Sequence, residues 1–199
     1  GNYDYRLGAT LGLTLGLRAF NDTVTFPGGG GATFVDDAFN NRRAFARENF
    51  VHANLDVDWT RELGDQSELS ARVSAQLANG PLVSNEQFSV GGFSSVRGYL
   101  ASEAVGDDGI AGALEFVLPN LGAQIAGWVT RLRPYAFADA GHARVQQALA
   151  DQDNAFTLFG MGAGLRAELF ETLSGDVAIA VPLLEGTETS SGDVRVHFS

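Results

Sequence analysis

Residues 3–19 read YDYRLGATLGLTLGLRA, and their odd and even positions form two different surfaces. The odd positions are Tyr3, Tyr5, Leu7, Ala9, Leu11, Leu13, Leu15, Leu17 and Ala19. The even ones are Asp4, Arg6, Gly8, Thr10, Gly12, Thr14, Gly16 and Arg18. A strand sends successive side chains to opposite faces, so the stretch predicts a long ribbon, aliphatic on one side and small or polar on the other. A helix would scatter the leucines around its circumference and would be weakened by the glycines.

The alternation recurs along the chain. Val51, Ala53, Leu55, Val57 and Trp59 oppose His52, Asn54, Asp56, Asp58 and Thr60; Leu69 to Leu77 oppose Ser70, Arg72, Ser74 and Gln76. Further ribbons are read at 109–118, 128–141, 159–169, 176–181 and 194–198, eight strands in all. Connections 63–67, 119–127 and 171–174 are short or fairly short, whereas 20–45, 80–108, 144–154 and 184–192 are medium or long. Short turns on one rim and longer loops on the other are expected of an outer-membrane barrel, with the short turns in the periplasm. A soluble β-sandwich or lipocalin-like barrel also alternates. The length of the first strand and the charged residues on several polar faces favour a wet lumen over a dry core.

Composition narrows the functional classes. The net charge of −11 argues against nucleic acid, because no basic concentration could track phosphates. With no cysteine, neither a disulfide framework nor a thiolate metal site is possible. No apolar run approaches the roughly 18–20 residues of a membrane-spanning helix, but barrel strands need only about 9–11 residues each. Twenty-five glycines and fourteen phenylalanines against one methionine suit a β protein with many turns and aromatic anchors. An opening on Gly1 rather than Met is expected of a processed chain or a piece of a longer one.

The segment 88–109 reads FSVGGFSSVRGYLASEAVGDDG. Val96, Arg97, Gly98 and Tyr99, preceded by Gly91 and Gly92, resemble the hallmark of the superfamily that contains BamA, TamA and the two-partner-secretion (TpsB, FhaC-like) transporters. The stretch Gly106, Asp107, Asp108, Gly109 resembles the TpsB branch, where this loop is short. Residues 113–119, ALEFVLP, look like the next strand of that family, and Phe137, Ala138, Asp139, Ala140 and Gly141 match its Phe-x-Asp-x-Gly element one strand later.

The resemblance implies a transmembrane antiparallel β-barrel in the bacterial outer membrane. Three strands precede the Arg97 loop and five follow it, which would make residues 1–199 the second half of a sixteen-stranded barrel, with loop 80–108 folding inward. The implied function is a pore secreting an unfolded partner exoprotein, without covalent chemistry, metal or cofactor. The implied partners are that client protein and the lipid bilayer with its lipopolysaccharide. A BamA/TamA-like insertase and a plain structural barrel or porin are the alternatives; the short stretch 106–109 favours the transporter. The final segment 194–199 departs from the family in lacking the usual terminal aromatic.

Physical chemistry picks out partners for the motif. An arginine carried into a lumen needs a carboxylate, because an unpaired charge out of water is costly. Guanidinium forks naturally onto a carboxylate. Strand parity points Asp139 inward with Phe137 and Tyr135, and Glu115 inward as the second candidate. Gly98 would permit a tight turn beside Arg97, and Gly141 lies on the same inner wall. Other features read blandly. The glycines at 28–31 suggest loop flexibility, and Asp36, Asp37, Asp107 and Asp108 suggest solvated loop charges, though an outer rim could also bind divalent cations. His52, His142 and His197 show no ligand spacing. Trp59 and Trp128 fall at strand ends, where barrels keep aromatic girdles. Eight strands could close alone, pair with a second copy or form half of a larger barrel; if they closed alone, their own side chains would fill the interior, the loop would lie outside and an Arg97–Asp139 contact should be absent.

Overall fold

A computed structural model describes residues 4–17, 24–27, 33–36, 43–46, 49–63, 66–125 and 127–199. The strands are β1 (Tyr5–Gly16), β2 (Val24–Pro27), β3 (Thr33–Asp36), β4 (Phe50–Glu62), β5 (Glu68–Ala78), β6 (Phe88–Val90), β7 (Ala104–Gly106), β8 (Asp108–Val117), β9 (Val129–Arg144), β10 (Ala155–Leu169), β11 (Leu173–Pro182) and β12 (Arg195–Phe198). A 3-10 turn spans Ser84–Glu86, and a single helical turn, α1, spans Gly122–Ile125.

Eight strands form one antiparallel meander in the order β1-β4-β5-β8-β9-β10-β11-β12. Two small hairpins, β2–β3 and β6–β7, interrupt the long connections expected at 20–45 and 80–108. The meander is open: among the described residues, β1 pairs only with β4 and β12 only with β11.

Register turns the alternation of single strands into two continuous surfaces. Leu7, Trp59, Ala71, Leu114, Ala138, Met161 and Val181 are successive cross-strand partners, so they form one belt on the outer face. One residue along, Gly8, Asp58, Arg72, Ala113, Asp139, Gly160 and Pro182 form the matching inner belt. The outer leucines are bare: Leu7, Leu13 and Leu17 are exposed, and Leu11 is 78% exposed. A contiguous apolar sheet face of this kind is stable against hydrocarbon and costly in water. At the short-turn rim, Trp128 stacks on Phe170 with ring centroids 5.7 Å apart, and the Phe170 N–H donates to Trp128 O at 2.9 Å.

Burial is greatest on the inner face, where residues 79–107 pack. Val90, Val96, Tyr99 and Ala104 from this segment cluster with Ala143 of β9 and Leu158 of β10. The closed eight-stranded alternative is therefore excluded for the described chain: the sheet does not close, and its inner side holds a loop.

Candidate functional site

The wall that receives the loop is shaped by glycine. Gly160, Gly162 and Gly164 recur with period two on the inner side of β10. A Cβ at Gly164 would overlap the Tyr135 ring. One at Gly162 would overlap the Ile179 carbonyl and approach Phe137 Cζ at 2.6 Å, and one at Gly160 would strike the Arg97 carbonyl. These three positions thus form a trough that admits two aromatic rings from β9 and the loop backbone. Gly141 does the same on β9, where a side chain would displace Val90 and Val96.

Arg97 lies in this trough. Its Nε donates to Asp139 Oδ2 (2.7 Å), its Nη2 to Asp139 Oδ1 (2.8 Å) and its Nη1 to Glu115 Oε2 (3.0 Å). Its backbone N–H also donates to Asp139 Oδ2, at 3.0 Å. The guanidinium carbon sits 3.5 Å from the Phe137 ring centroid, a cation–π contact in a largely dehydrated place. Asp139 itself is fully buried. The network continues on the other side: Arg166 pairs with Glu115 Oε1 (2.6 Å) and Asp176 Oδ2 (3.1 Å), and the Tyr135 hydroxyl donates to Asp176 Oδ1 (2.6 Å). Beside it, an open cleft of about 510 Å³ reaches Asp58, Ser70 and Arg72 on β4 and β5.

Each motif residue has a distinct place. Val96 is buried in the loop's apolar cluster. Gly98 has φ +98°, a conformation that penalises side chains, and its N–H donates to His197 Nε2 at 3.3 Å. Tyr99 drives its ring inward and places its hydroxyl where β10 and β11 part. The hydroxyl accepts the N–H groups of Phe159 and Leu184, each at 3.2 Å, and shares its proton between Leu184 O (2.8 Å) and Phe159 O (3.1 Å). The inner-wall residues Asp139, Glu115, Phe137 and Gly141 all face this segment.

Two anchors were not read from the sequence. Asp107 and Asp108 are not solvated loop charges; this is a correction. Asp107 is fully buried and pairs with both Nη atoms of Arg43, the Nη2 bond measuring 2.7 Å. It also accepts the N–H groups of Leu82 (2.8 Å) and Gln146 (2.7 Å). Asp108 accepts from Ala78 N and from the Arg144 and Gln146 side chains. The second anchor is Glu103, which binds the 183–194 connection through backbone amides and the Thr189 hydroxyl. Burial alone drives the Glu103 carboxyl up; its hydrogen bonds outweigh that and hold it below the ordinary carboxylate value.

The remaining candidates are quiet. His52 Nε2 lies 3.1 Å from Glu86 Oε2, and His142 Nδ1 lies 2.9 Å from Thr157 Oγ1. No cluster able to hold a metal ion exists among the described residues. The glycines at 28–31 and the acidic side chains at 36 and 37 lie outside the described residues or side chains.

An antiparallel wall, apolar outside and charged inside, with a long loop bound to its inner side, is the build of a transmembrane β-barrel that holds a segment in its interior. Residues 4–167 match the family model for haemolysin secretion/activation protein ShlB/FhaC/HecB, and the chain belongs to that family. The match takes in the Arg97 loop, Glu115 and Asp139 and ends within β10. Members of the family are β-barrel transporters rather than enzymes. Comparison with curated proteins returned no match.

Proposed function

We propose that this chain forms part of an outer-membrane pore through which a partner exoprotein leaves the bacterium unfolded, and that residues 80–108 fold into the lumen as its plug. The observation that carries this reading is the fork of Arg97 onto Asp139, backed by Glu115. This buried pairing holds the loop against the inner wall, which supports an inward position. The open sheet supports a larger enclosure, because an eight-stranded barrel has room only for its own side chains. Strands nine to sixteen of a sixteen-stranded barrel fit this wall, with the short turns in the periplasm, the long loops outside, and the leucine belt against lipid and lipopolysaccharide. The polar cleft reaching Asp58 and Arg72 offers an extended chain a wet surface beside the plug.

The test is Asp139→Arg in the full-length transporter, expressed with its cognate exoprotein. Export should collapse while the barrel still reaches the outer membrane. Export at the wild-type level would remove the plug reading. Assembly of other barrels failing, with export unchanged, would turn the assignment towards an insertase.

A further inference from the structure

The connection between β11 and β12, residues 183–194, is held by side chains that belong to the inward loop. Glu103 is central. Its Oε1 accepts the N–H groups of Glu188 (2.6 Å) and Thr189 (2.8 Å). Its Oε2 accepts the Thr189 hydroxyl (2.8 Å) and, within its own loop, the Leu100 N–H (3.1 Å). Both partners are enclosed, Glu103 being buried and Thr189 almost fully so. Carboxylates held by backbone amides grip one loop shape and release others, because amide donors point in fixed directions.

Two further ties run the same way. The Tyr99 hydroxyl binds both the N–H and the carbonyl of Leu184, where the connection begins. The Gly98 N–H reaches His197 within β12 itself. β12 pairs with β11 from Val177↔Phe198 to Ala180↔Arg195, and Asp176 and Ser199 exchange backbone hydrogen bonds at 3.1 and 3.0 Å. The loop adds its own tie to the same strand through His197. Arg195, the first residue of β12, also reaches Thr189 Oγ1 at 3.3 Å, which links the strand to the atom that Glu103 holds.

We infer that Glu103 is a positioning residue that couples the inward loop to β12, so that withdrawal of residues 80–108 and loosening of the 183–194 connection are one event. This rests on the plug reading and adds a consequence to it: opening the pore slackens a strand of its own wall. In a transporter, such slack would widen the passage at the moment the plug leaves it.

The chain has no cysteine, so single nitroxides can be placed by Ser94→Cys at the loop tip and Ser190→Cys in the connection. Both residues are exposed. The full-length protein is reconstituted in liposomes, and heat-modifiable gel mobility verifies that each variant is an assembled barrel. Asp139→Asn, which weakens the tip, should mobilise both labels. Glu103→Gln should mobilise the Ser190 label while leaving the Ser94 label immobile, and Glu103→Asp should restore part of the Ser190 immobilisation. In the Glu103→Gln background, Asp139→Asn should then move the Ser94 label alone. If Asp139→Asn frees Ser94 and leaves Ser190 unchanged in the presence of Glu103, the coupling is wrong and the plug reading stands. If Glu103→Gln leaves Ser190 immobile, the coupling is wrong as well. If Ser94 does not respond to Asp139→Asn, both readings fall.

Discussion

Asp139 gives both of its carboxylate oxygens to Arg97, one to Nη2 and the other to Nε and the backbone N–H together. This ties the guanidinium and the main chain of one residue to a single carboxylate. Arg97→Lys keeps the charge and loses the fork, so it should not substitute. Breaking a buried pair costs about 3–5 kcal/mol, which lowers the seated population of the loop by on the order of a hundredfold or more. Protease cutting within 80–108 on outer-membrane preparations should rise accordingly. Arg97→Lys combined with Asp139→Asn should be little worse than either change alone, since both act on one interaction.

Asp107 and Asp108 are neighbours with unequal duties. Asp107→Asn should loosen the long-loop rim, because it leaves the half-buried Arg43 without a counter-charge and weakens the acceptors of Leu82 and Gln146. The expected cost is about 3–5 kcal/mol, in line with the loss of one partner of a buried pair. Asp108→Asn retains a side-chain oxygen for Ala78 N and should cost less, about 1.5–3 kcal/mol at most, the range of a hydrogen bond to a charged group. Temperatures of heat-modifiability for the two variants, run side by side, check this order.

The glycine trough predicts a graded series. Gly162→Ala places a methyl against the Ile179 carbonyl, which the ladder holds in place, whereas Gly164→Ala meets the edge of a side-chain ring. Gly8→Ala, on the same inner face of β1, meets nothing within 4 Å. Overpacking costs about 1–3 kcal/mol, so denaturant midpoints should fall in the order Gly162→Ala, then Gly164→Ala, with Gly8→Ala near wild type.

Leu11 and Thr10 are adjacent in the middle of β1 and face opposite ways. Leu11→Lys should cost about 2–4 kcal/mol, as a charge on the lipid face near the bilayer midplane does. Thr10→Lys points into water and should be close to neutral. Folding yields into liposomes for the two variants compare the faces directly. Equal yields would mean that the leucine belt does not face lipid.

The strands were legible because backbone geometry alone sets the period of two. The outer row Leu7 to Leu17 needs no partner to declare itself, and the same holds for residues 51–59 and 69–77. Parity also marked Asp139, Phe137 and Glu115 as inward and Gly141 as part of the wall, while Val96 to Tyr99 stood out by resemblance. The hairpins β2–β3 and β6–β7 were not read, being four and three residues per strand and too short for a period to show.

Partners were another matter. Asp107 and Asp108 look alike along the chain, yet one is fully buried because Arg43, 64 positions earlier, folds over it. Glu103 finds Thr189 across 86 positions. Nothing in the sequence around Asp107 or Glu103 signals which distant amide or guanidinium will satisfy it. Likewise, period-two glycines in β10 mark a small face, and only the β9–β10 register decides that Tyr135 and Phe137 fill it. The sequence by itself determined which side of each ribbon is apolar and which is polar, a property of neighbours along the backbone. Only the tertiary structure decided that Asp107 and Glu103 join Asp139 in anchoring loop 80–108, because their partners are brought to them by burial, and burial exists only once distant segments have met.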